Sequence, residues 1–233
     1  MNKLLLKLSK FAVATATFAV TFVVTMAAPL SAQAQEIKGD AVVGKTKIAM
    51  CIGCHGIPGY QASFPEIHKV PKISGQNAKY IVAALNAYKK GERNHASMRG
   101  IAEALSDQDM ADIGAYYSTH GVVAGATLAD KPSKAPSAAV DALLKKGGCV
   151  ACHGENFAKP IDPSYPKIAG QHADYLYVAL KAYKTEKNPN IGRSNGVMAG
   201  MAKLYSNNEL KDISKYIGSL DGDLKTVEQA SFR

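Results

Sequence analysis

The chain has 233 residues, with 28 basic and 19 acidic side chains and a formal charge of +9. That length suits two domains of about 100 residues, each able to bury its own core. The basic residues are spread along the chain and do not cluster, which excludes a nucleic-acid footprint.

Lys3, Lys7 and Lys10 lead into Phe11 to Ala28, an uncharged stretch rich in Ala, Val, Phe and Thr, and Ala32-Gln33-Ala34 follows. This is the order of a secretory signal peptide. Residues 1–34 are therefore read as a signal cleaved after Ala34, and the remaining chain as periplasmic. A retained anchor is the competing reading, because the uncharged stretch nearly has the length to span a bilayer. Without the leader the chain keeps 25 basic and 19 acidic residues. That balance describes a mildly basic, mixed surface; peripheral association with the inner membrane stays open, and nucleic acid is not an expected partner.

A first domain, residues 35–120, opens with a helix expected over 39–53 that runs into Cys51-Ile52-Gly53-Cys54-His55. A loop from Ile57 to Val70 leads to Pro71-Lys72-Ile73-Ser74-Gly75-Gln76. Ala78, Ile81, Val82, Leu85 and Tyr88 then fall on one helical face. Met98-Arg99-Gly100 follows, and Ser106-Asp107-Gln108-Asp109 reads as the N-cap of a last helix that turns Met110, Ile113 and Tyr117 inward. Residues 121–137, rich in Gly, Ala, Ser and Pro without helical periodicity, read as a linker.

The second domain, residues 138–233, repeats this order. A helix over 138–151 runs into Cys149-Val150-Ala151-Cys152-His153, and Pro166-Lys167-Ile168-Ala169-Gly170-Gln171 follows. Leu176, Ala179, Leu180 and Tyr183 form the next helical face, ahead of Met198-Ala199-Gly200. Ser206-Asn207-Asn208-Glu209 opens a helix bearing Leu210, Ile213, Tyr216 and Ile217. The polar tail from Asp221 to Arg233 is expected to be poorly ordered. The Cys motifs recur at an offset of 98, the Pro-Lys-Ile segments at 95 and the Met-x-Gly segments at 100. The first unit is thus three residues longer after its His and the second five residues longer before its Met, differences expected in surface loops. No strand alternation of useful length is present. The fold class expected is all-α, two tandem domains related by internal duplication.

Cys-x-x-Cys-His has a specific covalent logic. Two thiols add to the vinyl groups of a haem, and the adjacent His is held beneath the iron as an axial ligand. The alternatives are a thioredoxin-like dithiol or half a zinc site. A dithiol has no need of the His at the same place twice, and a zinc site needs a second ligand pair within a compact unit. Cys51, Cys54, Cys149 and Cys152 therefore predict two covalently bound c-type haems, with His55 and His153 on the irons. Met98 and Met198 occupy matching positions, 43 and 45 residues after those His, and are read as the second axial ligands; a thioether opposite His raises the potential. Met50, Met110 and Met201 are read as core filling. His68, His95, His120 and His172 have no His counterpart in the other unit and are read as surface or loop residues. Pro71 and Pro166 read equally as ordinary turn residues or as carbonyls that accept the second ring N–H of the ligand His. Gln76, Gln171, Tyr80 and Tyr175 either bond haem propionates or pack and cap the next helix.

These residues together, both Cys-x-x-Cys-His-Gly motifs, both Pro-Lys-Ile-x-Gly-Gln segments and both Met-x-Gly segments, resemble the cytochrome c4 family, from about Gly39 to Leu220. The resemblance implies two class I cytochrome c domains packed face to face and His/Met ligation through Met98 and Met198. It also implies Pro71 and Pro166 carbonyls on the ligand His, and electron delivery to a terminal oxidase in the periplasm. The longer loop from Ile57 to Val70 departs from that pattern.

An electron carrier is the reading that follows, not an enzyme: six-coordinate irons leave no site for substrate. Its partners would be redox proteins, a quinol-oxidising complex or dehydrogenase as donor and a terminal oxidase as acceptor. A di-haem peroxidase would need a displaceable ligand and acid-base groups beside the iron. An electron-transfer subunit of a dehydrogenase, such as a flavocytochrome sulfide dehydrogenase, would use the same haems and adds a permanent interface.

Overall fold

The computed structural model describes residues 37–185, 188 and 190–228. The signal segment and its cleavage after Ala34 lie outside the described residues. Among those described, no helix is long and apolar enough to cross a membrane.

The architecture is all-α apart from one small hairpin. The first domain contains α1 (Ala41–Thr46), α2 (Ala49–His55), the strands β1 (Gln61–Ala62) and β2 (His68–Lys69), then α3 (Ala78–Lys89), α4 (Ala96–Glu103) and α5 (Asp107–Thr119). The second contains α6 (Ala138–Lys146), α7 (Cys149–His153), α8 (Ala173–Ala182), α9 (Gly196–Lys203) and α10 (Asn207–Gly218). In each domain the terminal helix is the hub: α5 packs on α1 and α3, and α10 on α6 and α8. Both hubs start with a capping box. Ser106 accepts from the Asp109 N–H while Asp109 accepts from the Ser106 N–H, and Ser206 and Glu209 do the same. The first core gathers Ile81, Leu85, Met110, Ile113 and Tyr117. The second gathers Leu144, Leu176, Leu210, Ile213 and Ile217 around Phe157.

The single helices expected over 39–53 and 138–151 are each broken in two. At the first break Lys47 closes α1 and Ile48 turns into the core, 5% exposed. The turn lets the Lys47 ammonium reach Asp109 at 2.6 Å and Asp112 at 2.7 Å. At the second, Gly148 adopts φ +57°, left-handed backbone that ends α6 and restarts as α7. The closeness of α1 to α5 is set by Gly44: a Cβ there would lie 2.1 Å from the Asp112 carbonyl oxygen.

The linker has no helix or strand, yet it lies bonded over the second domain. The Ala129 carbonyl accepts from Asn156 Nδ2, the Lys134 carbonyl from the Tyr216 hydroxyl, and Ser133 Oγ from the Asp221 N–H. The tail corrects the sequence expectation as far as residue 228. Leu224 is 3% exposed, and the Lys225 N–H donates to the Ser74 carbonyl of the first domain at 2.9 Å. Polarity alone misjudged it because one buried Leu and a backbone bridge fix the segment.

Both length differences between the repeats were placed in surface loops, and both instead meet the other domain. The extra residues of the first unit build the β1–β2 hairpin, with Gln61 paired to Lys69 and Ala62 to His68. It packs on α8, where the Lys69 N–H donates to Asp174 and Glu66 pairs with Lys181. His68 is consequently buried, 6% exposed, not a surface residue. The longer segment of the second unit sets the Gly192 and Asn188 carbonyls on the N–H and amide of Asn94. Met50 and Met201 are likewise corrected: both are exposed, because Cys51 and Ile52 form the inner side of α2 and Ala202 that of α9. Met110 is fully buried.

Asp112 ties α1 to α5. It accepts from the Asp40 N–H, the Lys47 ammonium and Gln108 Nε2. The Lys47 bond, with the Asp40 N–H, holds its carboxyl below the usual carboxylate range. A depressed folded value stabilises the protein above the unfolded value of about 3.9, and that stability is lost as pH falls through the folded value. Asp112→Asn is therefore expected to melt below wild type at neutral pH, with the gap narrowing towards pH 3, as thermal denaturation followed by circular dichroism would show. Asp212, the counterpart in the second domain, has an exposed partner, Lys215, 3.9 Å away, and Asp212→Asn should change the melting temperature at neutral pH far less, since exposed pairs contribute little. Leu224→Ala should cost about 2–5 kcal/mol in urea unfolding, the usual range for truncating a buried Leu.

Candidate functional site

Helix α2 ends on His55, which places Cys51 against the core and leaves Cys54 exposed. Helix α7 ends in the same way on His153, which is buried. None of the four cysteines is in a disulfide. Burial pushes the Cys51 thiol up to about 11 and raises Cys149. Neither has the depressed value of a redox dithiol.

Each His is oriented by a loop carbonyl. His55 Nδ1 lies 2.8 Å from the Pro71 carbonyl, and His153 Nδ1 lies 3.2 Å from that of Pro166. A carbonyl can only accept, so Nδ1 carries the proton and Nε2 keeps the lone pair that a metal needs. Burial lowers both imidazoles from their ordinary value and keeps them neutral.

Met98 and Met198 stand at the third position of α4 and α9. The His95 side chain accepts from the Met98 N–H at 3.4 Å, and the Asn195 side chain from the Met198 N–H at 3.0 Å. His95 is thus a helix cap, and His172 precedes α8 at its N-cap position. His120 ends α5, where it stacks on Tyr116 and bonds Ser74.

A cavity of about 830 Å³ brings the first set together, within the range of pockets that bury large ligands. Cys51, Cys54, His55, Pro71 and Met98 line it, and Ile73, Ile81, Leu85, Leu105 and Ile113 supply apolar wall. Cys149, Cys152, His153 and Met198 do not line it; they occupy the corresponding positions on α7 and α9. Two thiols, a neutral imidazole whose Nε2 keeps its lone pair and a methionine lining the same cavity fit a covalently held haem, and Cys54 and Cys152 complete the two attachment pairs.

The cavity is not walled by one domain. Pro166, Gln171 and Tyr175 of the second domain also line it. Gln76 and Gln171 do not cap the following helices, which lack a side-chain cap; each accepts instead from the N–H of the next residue, Asn77 or His172, at 3.0 Å. Each also reaches across the interface. Gln171 accepts from the Lys72 N–H at 3.0 Å and donates to its carbonyl at 2.9 Å; Gln76 bonds the N–H and carbonyl of Lys167, both at 2.9 Å. Both glutamines are 4% exposed. The Tyr80 and Tyr175 hydroxyls accept from guanidinium groups, not from helix backbone.

The sequence reading missed Arg93 and Arg193, whose backbones form an antiparallel bridge between the domains. They repeat at the same offset of 100 as the two Met, and that match was the signal available. His68 was missed as a buried member because its loop has no counterpart in the second unit.

Residues 38–120 and 137–221 each match the family described as "Cytochrome c". The chain is 32% identical over 189 residues to a cytochrome c4 of Pseudomonas aeruginosa, covering 78% of this chain and 89% of that one. It is 29% identical over 204 residues to a thiosulfate dehydrogenase electron acceptor of Stutzerimonas stutzeri, covering 82% and 90%. Among solved structures, reduced recombinant cytochrome c4 from Pseudomonas stutzeri aligns with a TM-score of 0.56 at 27% identity, over 78% of this chain and all of that one. With two family matches, two Cys-x-x-Cys-His helices and two carbonyl-oriented His, the chain belongs to the cytochrome c4 type of cytochrome c, an electron carrier with two covalently bound c-type haems.

Proposed function

We propose that this chain is an exported periplasmic electron carrier whose two irons are each held between His and Met, His55 with Met98 and His153 with Met198. Residues 35–120 hold the first haem, residues 138–233 the second, and 121–137 connect them, after removal of residues 1–34. The observation that carries the reading is the single cavity holding Cys51, Cys54, His55 and Met98, with His55 Nδ1 bonded to the Pro71 carbonyl at 2.8 Å.

When bound, each haem supplies one-electron chemistry at its iron. The residues do the rest. The cysteines fix the group covalently, so no carrier is lost between partners. The Pro71 and Pro166 carbonyls fix the ring orientation of each His and make it a stronger donor. Met98 and Met198 would close the remaining position, favour the reduced iron and exclude substrate. The apolar wall of Ile73, Ile81, Leu85 and Ile113 keeps water from the site, which raises the cost of charge there. The partners are redox proteins, a quinol-oxidising complex or dehydrogenase as donor and a terminal oxidase as acceptor. A second reading draws support from the relative named as a thiosulfate dehydrogenase electron acceptor: the same two sites would serve as the electron-accepting subunit or partner of a dehydrogenase.

The visible spectrum of the oxidised protein tests the ligation. A long-wavelength band of ferric iron bound to Met sulfur, with intensity for two sites per chain, is expected. Met98→His and Met198→His should each remove about half of it and lower one of the two potentials. A wild-type band worth one site, or a high-spin signal, would contradict the paired ligation. Stable co-purification with a dehydrogenase from the native periplasm would favour the second reading.

A further inference from the structure

Tyr117 is 2% exposed, and it lines the cavity that holds Cys51, His55 and Met98. Among the described residues its hydroxyl has no hydrogen-bond partner. It lies against the Cys51 thiol, which burial raises and this hydroxyl draws back, without closing a hydrogen bond to it. In the second domain Cys149 also has a phenol beside it, that of Tyr205, 5% exposed. This hydroxyl is engaged: it donates to the Leu143 carbonyl at 2.8 Å. Gly147 keeps the space open, since a Cβ there would lie 2.2 Å from the Tyr205 hydroxyl oxygen and 3.5 Å from the Cys149 sulfur.

The two phenols are not repeat counterparts. At the offset of 100 Tyr117 answers Ile217, and Tyr205 answers Leu105. Each core, with its first cysteine packed against it, therefore holds one phenol and one aliphatic side chain in exchanged positions, Leu105 with Tyr117 and Tyr205 with Ile217. Burying a hydroxyl without a partner costs free energy that an Ile in its place would not. Attachment supplies the missing partner. The Cys51 S–H adds across a haem vinyl group, the sulfur bonding one carbon and the hydrogen the other, and the thioether sulfur that results is a weak acceptor. Burial pushes the Tyr117 hydroxyl far above its ordinary value, so it keeps its proton and serves as a donor. The one proton of Tyr205 goes to Leu143, which leaves its oxygen lone pairs to face Cys149.

We propose that the two phenols turn opposite ends of their hydroxyl dipoles to the two haems: Tyr117 donates to the Cys51 thioether sulfur and favours the reduced first haem, whereas Tyr205 presents its oxygen to the Cys149 sulfur and favours the oxidised second haem. The inference rests on the di-haem reading and adds a difference between ligand sets that are otherwise alike. A proton directed at the edge of a redox group stabilises an added electron, and an oxygen lone pair there opposes it. Apolar surroundings screen such dipoles little; Ile81, Leu85 and Ile113 share the first core, Leu210 and Ile213 the second. Hydrogen bonding around the group is one of the protein's levers on haem potential. Tyr117 and Tyr205 are positioning residues, not iron ligands.

The test is spectroelectrochemistry on the intact di-haem protein, with the first couple identified as the one displaced by Met98→His and the second by Met198→His. Tyr117→Phe removes only the hydroxyl. It is expected to lower the first couple by about threefold in the reduction equilibrium, about 28 mV for one electron, and to leave the second in place. Tyr205→Phe is expected to raise the second couple by a similar amount and to leave the first in place. A first couple unmoved or raised by Tyr117→Phe, or a second couple unmoved or lowered by Tyr205→Phe, would overturn the proposal. Proton NMR of the reduced wild type serves if a variant fails to mature. The Tyr117 hydroxyl proton should exchange slowly and show an Overhauser contact to the thioether protons of the first haem; a rapidly exchanging proton, or none within reach, would also overturn it. Haem content is read on the same samples. Fewer than two haems per wild-type chain would sink the di-haem reading, whereas two haems with unmoved potentials would sink only the role of the phenols.

Discussion

The reciprocal glutamine pairing at the domain interface is the constraint on which the rest of the molecule depends. In each domain one short segment serves two sites at once. The carbonyl of Pro71 takes the His55 ring proton, and the N–H and carbonyl of the next residue, Lys72, are held by Gln171. The carbonyl of Pro166 takes the His153 proton, and Lys167 is held by Gln76. A buried primary amide that matches both backbone groups of one residue leaves little freedom to slide, because any shift strands polar atoms away from water. The His of each Cys-x-x-Cys-His motif is thereby tied to the other domain through one peptide unit.

That tie explains where the two copies of the repeat diverge. After a duplication, each unit is free to change wherever the change does not disturb the iron site. Here the extra residues of both units lie at the interface. The hairpin of the first rests on α8, and the longer loop of the second bonds Asn94. The tail adds a third strap, from Leu224 to the Ser74–Lys225 bridge. The interface is thus rich in hydrogen bonds and carries the buried Arg93, while the two separate cores lie around Met110 and Phe157. The sites stay pseudo-symmetric while the contacts around them do not, and this is how two chemically identical ligand sets come to have different surroundings.

Much of this was legible in the sequence. The capping serines Ser106 and Ser206, the inward faces of α3, α5, α8 and α10, and the repeat itself follow from periodicity and cap chemistry, which are local. The Cys-x-x-Cys-His motif announces the haem because the adjacent His, repeated in both units, sets it apart from a dithiol or half a zinc site. The Pro71 and Pro166 carbonyls were suggested by spacing and needed coordinates to be separated from ordinary turns. Less was legible where an outcome depends on distant partners. The breaks at Lys47 and Gly148 depend on Asp112 and on left-handed backbone. His68 is buried between His95 and Tyr175 of α8, and Gln76 and Gln171 show their role only when the domains are placed together. A duplicated polar residue that caps nothing obvious, as with Arg93 and Arg193, is the kind of signal that a single-domain reading passes over.

The central claim is that each interface glutamine supports the Cys-x-x-Cys-His histidine of the opposite domain. Hydrogen exchange in the reduced protein, followed by nitrogen-edited NMR at the His ring Nδ1–H groups and the Lys72 and Lys167 amides, tests it most directly. In Gln171→Leu the account predicts exchange faster by about tenfold or more at His55 Nδ1–H and Lys72, equivalent to about 1.4 kcal/mol of lost local protection. His153 and Lys167 should stay as in wild type. Unchanged exchange at His55, or equal acceleration at both His, would contradict the account, because the glutamine would then hold the domains together without reaching the iron site.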